Sequence, residues 1–166
     1  MAKENREGEV YLVEGFFDVI SLTQLGIENC IAILGTNLSE DQISLLTSLQ
    51  KKIVLFLDGD KAGREATISN LVKLLLREID CEVGGGDYKG DPDEICYQHS
   101  KESIQNLLKR RANPYLFVLD YYFSKWEVAE NPQRITYFVR EVAKIFQNFK
   151  LNVREFLIKK VNLLVK

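Results

Sequence analysis

The sequence predicts an α/β fold, an open and largely parallel sheet with flanking helices, followed by a small helical subdomain. In the first part, apolar runs of strand length alternate with segments of helical apolar spacing, an order typical of layered α/β domains with right-handed crossovers. From about Asn113 onward, only helical spacing remains. The boundaries predicted from this change are residues 1–112 for the α/β domain and 113–166 for the helical extension.

The first two strand–helix pairs are predicted from short apolar runs and the residues that follow them. Glu9–Val13 is predicted to be a strand that stops at a glycine turn, and Phe16–Leu25 to be the next helix. Cys30–Leu34 is predicted to be a second buried strand. Ser39 is expected to begin a second helix, because Gln42 follows three residues later in capping-box spacing.

The clearest strand is Ile53–Leu57, whose five consecutive apolar residues predict burial on both faces at the centre of a parallel sheet. It ends at Asp58-Gly59-Asp60, and a third amphipathic helix is predicted beyond Gly63. The aspartates therefore stand where a buried strand gives way to a helix.

Helical spacing dominates after the glycine run at 84–86, which is expected to be flexible. A helix is predicted around Ile104, and Pro114 is expected to begin another. Lys109–Arg111 is interpreted as a solvated helix end, with a local nucleic-acid contact as the alternative. The inward stripes of the last two helices are predicted to be Ile135, Phe138, Val139, Val142, Phe146 and Phe149, then Val153, Phe156, Leu157, Val161 and Leu164.

Composition limits the classes of protein that fit. A net charge of −2 gives no general attraction to nucleic acid, so any such role must be local or depend on other parts. Three cysteines without CxxC spacing (Cys30, Cys81 and Cys96) predict free thiols and no zinc site. No apolar run reaches membrane-spanning length and the N-terminus has no signal-peptide core, so we expect a cytoplasmic protein without a membrane partner.

Carboxylates are the side chains left to carry chemistry. The single histidine, His99, excludes a histidine-rich metal site and is expected to be an ordinary surface residue. Ligands of open α/β sheets bind outside the carboxyl ends of the strands, where Glu14 and Asp58 end the first and third strands. The full set of acidic candidates is Glu14, Asp18, Asp58, Asp60, Asp91 and Asp93.

Such a cluster of carboxylates predicts a hard divalent cation, Mg²⁺ or Mn²⁺. Uncompensated carboxylates repel one another, and Mg²⁺ prefers oxygen ligands together with substrate phosphates. Asp-Gly is also a common turn dipeptide, so the Asp58-Gly59-Asp60 turn is weak evidence by itself. Lys61 and Arg64 strengthen it, since they add cations at a helix N-terminus, where phosphate is favoured.

Four segments, in order over residues 9 to about 96, resemble the Toprim domain of bacterial DnaG-type DNA primases. Any one of these segments alone would be weak, whereas four in the family's order are specific. They are Glu14–Ile20, similar to EGxxDV; Leu34–Thr36 with Leu38–Gln42, similar to LGT…LTxxQ; Asp58–Ala66, similar to DGDxAGxxA; and Asp91–Glu94, similar to DPDE.

The resemblance implies a Toprim-like sheet and a nucleotidyltransferase that synthesises RNA primers during DNA replication. It implies single-stranded DNA template and ribonucleoside triphosphates as partners, and a replicative helicase bound through regions outside this chain. The implied catalytic residues are Glu14, Asp18, Asp58 and Asp60. Of these, the resemblance implies Glu14, Asp58 and Asp60 as central metal ligands, and Asp18 as a supporting metal ligand together with Asp91 and Asp93. It further implies Lys61 and Arg64 as phosphate-binding residues, Gly15, Gly35 and Gly63 as turn residues, and Thr36 as a hydrogen-bond donor.

Departures from the family pattern limit what the chain is expected to do. It shows neither the family's zinc-binding domain nor the basic lobe before the Toprim part, Gly90 replaces the usual lysine before DPD, and the glycines at 84–86 replace an apolar strand. We therefore predict that the chain folds and binds Mg²⁺ or Mn²⁺ weakly, yet makes no primers alone.

Three alternatives stay open on the sequence. Another Toprim enzyme, a topoisomerase or nuclease, would use the same carboxylates for strand cleavage. A haloacid-dehalogenase-like phosphatase also carries a DxD after an apolar strand, although Ala62 and Gly63 do not fit its pattern. A catalytically silent Toprim binding module would keep the fold and use its helices to recruit a partner.

Overall fold

The computed structural model describes residues 8–85, 96–97 and 100–165, and the chain divides into two compact units, Met1–Asn113 and Pro114–Lys166. The first unit contains β1 (Glu9–Val13), α1 (Phe16–Gln24), β2 (Cys30–Ala32), α2 (Glu40–Leu49), β3 (Lys52–Leu55), α3 (Lys61–Leu76), β4 (Cys81–Gly84), α4 (Lys101–Leu108) and β5 (Arg111–Ala112). The second contains α5 (Pro114–Lys125), a 3₁₀ turn (Pro132–Arg134), α6 (Ile135–Phe146) and α7 (Leu151–Leu164).

The strands of the first unit form one sheet in the order β2-β1-β3-β4-β5. The first four strands are parallel and β5 is antiparallel, which confirms the predicted open, largely parallel sheet. At its centre, Leu12 of β1 pairs with Ile31 of β2 on one side and with Leu55 of β3 on the other. β3 is therefore a central strand, as its continuous apolar run predicts.

The direction of the chain across the sheet reverses at β1. β2, which follows β1 in the chain, lies on one side of β1, whereas the next strand, β3, lies on its other side. Because crossovers between parallel strands are right-handed, α1 covers one face, and α2 and α3 cover the other. A buried cluster on the α1 face joins it to α4; its members are Val13, Leu22, Ile27, Phe56, Ile104 and Leu108.

Two predicted strands end earlier than expected. β3 stops at Leu55, although Phe56 and Leu57 stay buried at 3% and 9% exposure. β2 stops at Ala32, because Leu34 turns into the left-handed region with a φ of 57°. The predicted burial therefore holds for Phe56 and Leu57 but is wrong for Leu34, which is 74% exposed, and β2 itself is only half-buried.

α3 begins at Lys61, earlier than the predicted start beyond Gly63, because the carboxylate of Asp60 caps it. The Asp60 side chain accepts a hydrogen bond of 2.7 Å from the backbone N–H of Gly63. Gly63 therefore lies in the first helical turn and does not precede it.

The prediction of a flexible glycine run is wrong for Gly84. This residue lies in β4, is buried, and pairs with Arg111 of β5. A Cβ at Gly84 would lie 2.9 Å from Cγ1 of Val54, so the missing side chain permits close packing of neighbouring strands.

Arg111 does not belong to a solvated helix end. It lies on the short edge strand β5, and its guanidinium forms ion pairs with Glu9 at 2.6 Å and Glu82 at 3.5 Å. It also donates a hydrogen bond of 3.2 Å to the hydroxyl of Tyr11. The guanidinium therefore links strands β1, β4 and β5 on one face of the sheet, which explains a basic residue at this position without a ligand.

The second unit is helical, and α5 begins at Pro114 as predicted. Most of the predicted inward stripe is buried, but Val139, Phe156 and Leu164 are 38%, 40% and 36% exposed. In α7 the fully buried residue is Leu157, one position after Phe156, so the buried face is narrower than the apolar pattern suggests. Among the described residues, no helix is both long and apolar enough to span a bilayer.

Candidate active site

The point where the strand order reverses places two predicted site residues at the same edge of the sheet. Glu14 directly follows β1, and Asp58 follows the neighbouring parallel strand β3. The backbone N–H of Phe56 donates a 2.8 Å hydrogen bond to the carbonyl of Leu12, so the two strands run side by side up to these residues. In open α/β sheets, the crevice at such a switch point is where ligands bind.

Glu14 carries a carboxylate oxygen in an unusual state. Its Oε2 is buried and, among the described residues, has no hydrogen-bond partner. A buried carboxylate oxygen without a partner is costly, since it has lost its water and gained nothing in exchange. A bound cation is the simplest group that would compensate for this cost, so the oxygen fits a metal ligand.

Asp58 lies in a tightly packed turn. Its Oδ1 is buried, while the residue as a whole is half-buried. A Cβ at Gly63 would lie 2.8 Å from both the carbonyl carbon and the Cβ of Asp58, and would overlap its carbonyl oxygen. The glycine therefore lets the first turn of α3 pack directly against Asp58, which fixes the backbone that carries this carboxylate.

Asp60 and Asp18 both accept hydrogen bonds from backbone groups at helix N-termini. Asp60 is exposed and caps α3 through the N–H of Gly63. Asp18 is 5% exposed, and its Oδ2 accepts a 2.8 Å hydrogen bond from the N–H of Gly15. Because Gly15 follows Glu14, the carboxylate of Asp18 fixes the turn that positions Glu14.

Lys61 and Arg64 are exposed in the first turn of α3. Within the described part of the chain, neither side chain forms an ion pair with an acidic residue. Their charges and the N–H groups of the helix N-terminus stand beside the Asp58 turn. Cations in this arrangement suit the binding of phosphate.

The loop after β2 reaches the same edge and is held by a residue that the sequence analysis missed. Asn70 of α3 is 0% exposed, accepts a 2.7 Å hydrogen bond from the N–H of Leu38, and donates one of 3.1 Å to the carbonyl of Thr36. Its signal in the sequence is an asparagine three residues after Thr67 and four before Leu74, on the inward stripe of α3. A polar residue on such a stripe predicts a buried partner.

Other predicted site residues are not placed by the structure. Asp91, Asp93 and His99 lie outside the described residues. β4 neighbours β3, and the chain continues from its carboxyl end toward Asp91 and Asp93. In the described ranges alone, no three His, Cys, Asp or Glu side chains form a metal-binding group. The described carboxylates thus supply only part of any metal site.

Comparison with known sequences identifies similar proteins. The Toprim-like family profile matches residues 11–96. The DNA primase of Clostridium acetobutylicum is 29% identical over 160 residues, covering 96% of this chain and 27% of that protein. The DNA primase of Aquifex aeolicus is 38% identical over 109 residues, covering 64% of this chain and 22% of that protein. The chain therefore spans about a quarter of the length of these relatives.

Solved structures of primases share the fold. The structure of the Aquifex aeolicus primase, with zinc-binding and RNA polymerase domains, is 30% identical and has a TM-score of 0.69. The match covers 96% of this chain and 38% of the Aquifex chain. A DnaG catalytic core is 22% identical with a TM-score of 0.79, and the match covers 98% of this chain and 53% of the catalytic core. A DnaG primase catalytic domain bound to single-stranded DNA has a TM-score of 0.78 at 22% identity, and the match covers 95% of this chain and 50% of that domain.

Proposed function

Because this chain belongs to the Toprim-like family, we propose that it is the metal-binding part of a DNA primase. Such an enzyme joins ribonucleoside triphosphates into RNA primers on a single-stranded DNA template. The similar DNA primases of two organisms support this proposal, as does the shared fold of a primase domain bound to single-stranded DNA. The family profile by itself would also fit another Toprim enzyme, and the similar DNA primases are what favour a primase.

The observation that carries the proposal is the carboxylate pair at the switch point. Glu14 and Asp58 end adjacent parallel strands, and the buried Oε2 of Glu14 lacks a partner among the described residues. All the candidate donors are oxygens, the type that Mg²⁺ and Mn²⁺ prefer. In a surface turn that binds no ligand, burial of a carboxylate oxygen such as Oε2 of Glu14 would only cost free energy.

Glu14, Asp58 and Asp60 are proposed to hold the divalent cation, with Asp91 and Asp93 as supporting ligands. A cation bound there would favour ionisation of the attacking 3′-hydroxyl and stabilise charge on the departing pyrophosphate. Asp18 would act through Glu14, since its carboxylate fixes the Gly15 turn.

The remaining residues are proposed to bind and orient the nucleotide. Lys61 and Arg64 would attract the triphosphate to the N-terminus of α3. Asn70 would keep the Thr36 loop in one conformation at the edge of the crevice. A replicative helicase is proposed to bind through regions outside this chain, in the cytoplasm.

A chimera tests the proposed function. Residues 9–113 would replace the matching segment of the Aquifex aeolicus primase, and RNA primer synthesis on single-stranded DNA would be measured. We expect primer synthesis that requires Mg²⁺ or Mn²⁺. Glu14→Gln or Asp58→Asn should lower it by at least about a hundredfold, since a catalytic metal supplies several kcal/mol of transition-state stabilisation.

Glu28→Gln is the matched control, because Glu28 is an exposed acid before β2, at the opposite edge of the sheet. It should leave primer synthesis unchanged. A chimera that melts cooperatively near the temperature of the parent enzyme, yet makes no primers with either metal, would contradict the proposal.

A further inference from the structure

An aromatic pair lies unusually exposed beside the candidate site. Phe16 and Phe17, the first two residues of α1, are 55% and 66% exposed. Their ring centroids are 4.7 Å apart, so the two rings form one continuous apolar surface. Two adjacent phenylalanines exposed at a helix start are costly in water, and exposed apolar patches of this kind mark binding surfaces.

Leu34 is a third exposed apolar residue, on the loop after β2. Its side chain is 74% exposed, and its φ of 57° is costly for a residue with a branched side chain. Its backbone N–H donates a 3.1 Å hydrogen bond to the carbonyl of Glu14. Leu34 therefore contacts the backbone of Glu14, and Phe16 follows Glu14 by two residues along the chain.

The turn that carries the aromatic pair is rigidly held. Asp18 accepts a 2.8 Å hydrogen bond from the N–H of Gly15, which closes the first turn of α1 around Phe16 and Phe17. The rings are thus presented from an ordered helix N-terminus next to Glu14. A preformed surface of this kind loses little conformational entropy when a flat ligand stacks on it.

The charges around the crevice indicate the chemistry of that ligand. α1 and α3 begin on opposite sides of the crevice, so Phe16 and Phe17 stand on one side and Lys61 and Arg64 on the other. The carboxylates between the two sides are negative and the chain has a net charge of −2, so the protein as a whole does not attract phosphate groups. Base stacking on aromatic rings does not depend on charge, whereas the two cations suit phosphates. A nucleotide strand offers both parts.

We propose that Phe16 and Phe17 form a stacking platform for a base of the single-stranded nucleic acid that reacts at Glu14 and Asp58. This inference rests on the proposed function, because it takes a nucleic-acid strand to be the substrate of the carboxylate site. Leu34, whose backbone is hydrogen-bonded to that of Glu14, is proposed to cover the edge of the stacked base.

Fluorescence of a single-stranded oligodeoxynucleotide containing 2-aminopurine tests the platform, since stacking on an aromatic ring quenches this base. The intact chain would be titrated into the oligonucleotide in the presence of Mg²⁺. We expect quenching with the native chain and with Phe17→Trp. Phe16→Leu and Phe17→Leu keep an apolar side chain and remove the ring, so each should abolish quenching and weaken binding about tenfold.

Phe156→Leu is the control, because Phe156 is an exposed aromatic residue of the second unit, at 40%. It should bind and quench as the native chain does. Thermal melting of each variant separates loss of the platform from loss of the fold, and quenching by Phe17→Trp provides an independent positive readout.

Several results would overturn the inference. Unchanged quenching in both leucine variants would show that the base stacks elsewhere or not at all. No quenching by the native chain, while calorimetry still detects Mg²⁺ binding, would reject the platform and leave the proposed function standing. Loss of self-association in the leucine variants without any effect on the oligonucleotide would assign the aromatic pair to a protein interface.

Discussion

At the scale of single residues, two glycines of the family-like segments have different physical roles. Gly63 is required sterically, because a side chain there would overlap the backbone of Asp58. At Gly35 an added Cβ would have no atom within 4 Å, and the φ of this residue lies outside the left-handed region. Both belong to segments that resemble the same family, so the resemblance by itself does not separate a packing glycine from a tolerant one.

Gly63→Ala is therefore predicted to destabilise the chain by about 1–3 kcal/mol, the usual cost of overpacking a tight site. It should also weaken Mn²⁺ binding, because the Asp58 turn must move. Gly35→Ala should change the free energy of unfolding by less than about 0.5 kcal/mol. Urea unfolding of both variants measures the difference, and equal effects would contradict this account.

A buried thiol, Cys81, and a half-buried one, Cys30, give the chain a predicted sensitivity to alkaline pH. Burial raises the pKa of Cys81 to about 12 and, with a smaller contribution from nearby Cys96, raises the pKa of Cys30 to about 11, compared with 9.0 for an ordinary cysteine thiol. The folded state then holds its protons more tightly than the unfolded state. The stabilisation is complete below the unfolded pKa and is lost as pH rises toward the folded values.

The free energy of unfolding should therefore fall between about pH 9 and pH 12, the window set by these pKa values. Cys81→Ala should lower stability at neutral pH but reduce the alkaline slope, because the variant has one fewer thiol to ionise. Urea titrations of both proteins across this range provide the measurement. Parallel slopes in the native chain and the variant would count against the assigned cause.

At the scale of elements, the sequence predicts those helices and strands that carry a local apolar or capping pattern, and it misses those that do not. The apolar run of β1 predicts its observed bounds, Glu9–Val13. The start of α2 was also predictable, because Ser39 and Gln42 form the expected capping box around its first residue, Glu40. β5 has only two residues and carries Arg111, so no apolar pattern marks it. It pairs with β4, and Arg111 also forms an ion pair with Glu9, which is distant in the sequence; local sequence predicts neither contact.

The candidate site was predictable to a similar extent. The strand-end positions of Glu14 and Asp58 follow from the alternation of strands and helices. The hydrogen bonds of Asp18 and Asn70 do not, because each depends on side-chain geometry that the sequence pattern leaves open. The roles of Asp91 and Asp93 stay predictions.

The end of α2 offers a test of how a helix terminates. Gln50 caps it in the left-handed region, with a φ of 52°, and its side chain is exposed. Glycine adopts this conformation without steric cost, so Gln50→Gly is predicted to stabilise the chain by about 0.5–1 kcal/mol. Thermal melting checks this, with exposed Gln50→Ala as the control that keeps a Cβ and should bring no gain.

At the scale of the whole molecule, the division into two compact units predicts independent folding. Unit Met1–Asn113 contains all five described strands of the sheet, together with Glu14 and Asp58 at the switch point. We predict that a protein ending at Asn113 unfolds cooperatively and binds Mn²⁺ with the affinity of the intact chain. Thermal melting and calorimetry test this, and a molten or metal-free fragment would show that the helical unit is required.

The central claim is that Glu14 and Asp58 hold a divalent cation at the switch point of the sheet, and calorimetric titration with Mn²⁺ tests it most directly. The native chain and Glu28→Gln should bind Mn²⁺ equally. Glu14→Gln and Asp58→Asn should each weaken binding by more than about tenfold, a loss of about 1.4 kcal/mol.

Stability distinguishes this loss from unfolding. Without metal, Glu14→Gln should melt at or above the native temperature, because it removes a buried carboxylate that has no hydrogen-bond partner at Oε2 among the described residues. Loss of Mn²⁺ binding with stability retained is the result predicted here. Native-like Mn²⁺ affinity in both Glu14→Gln and Asp58→Asn would contradict the claim.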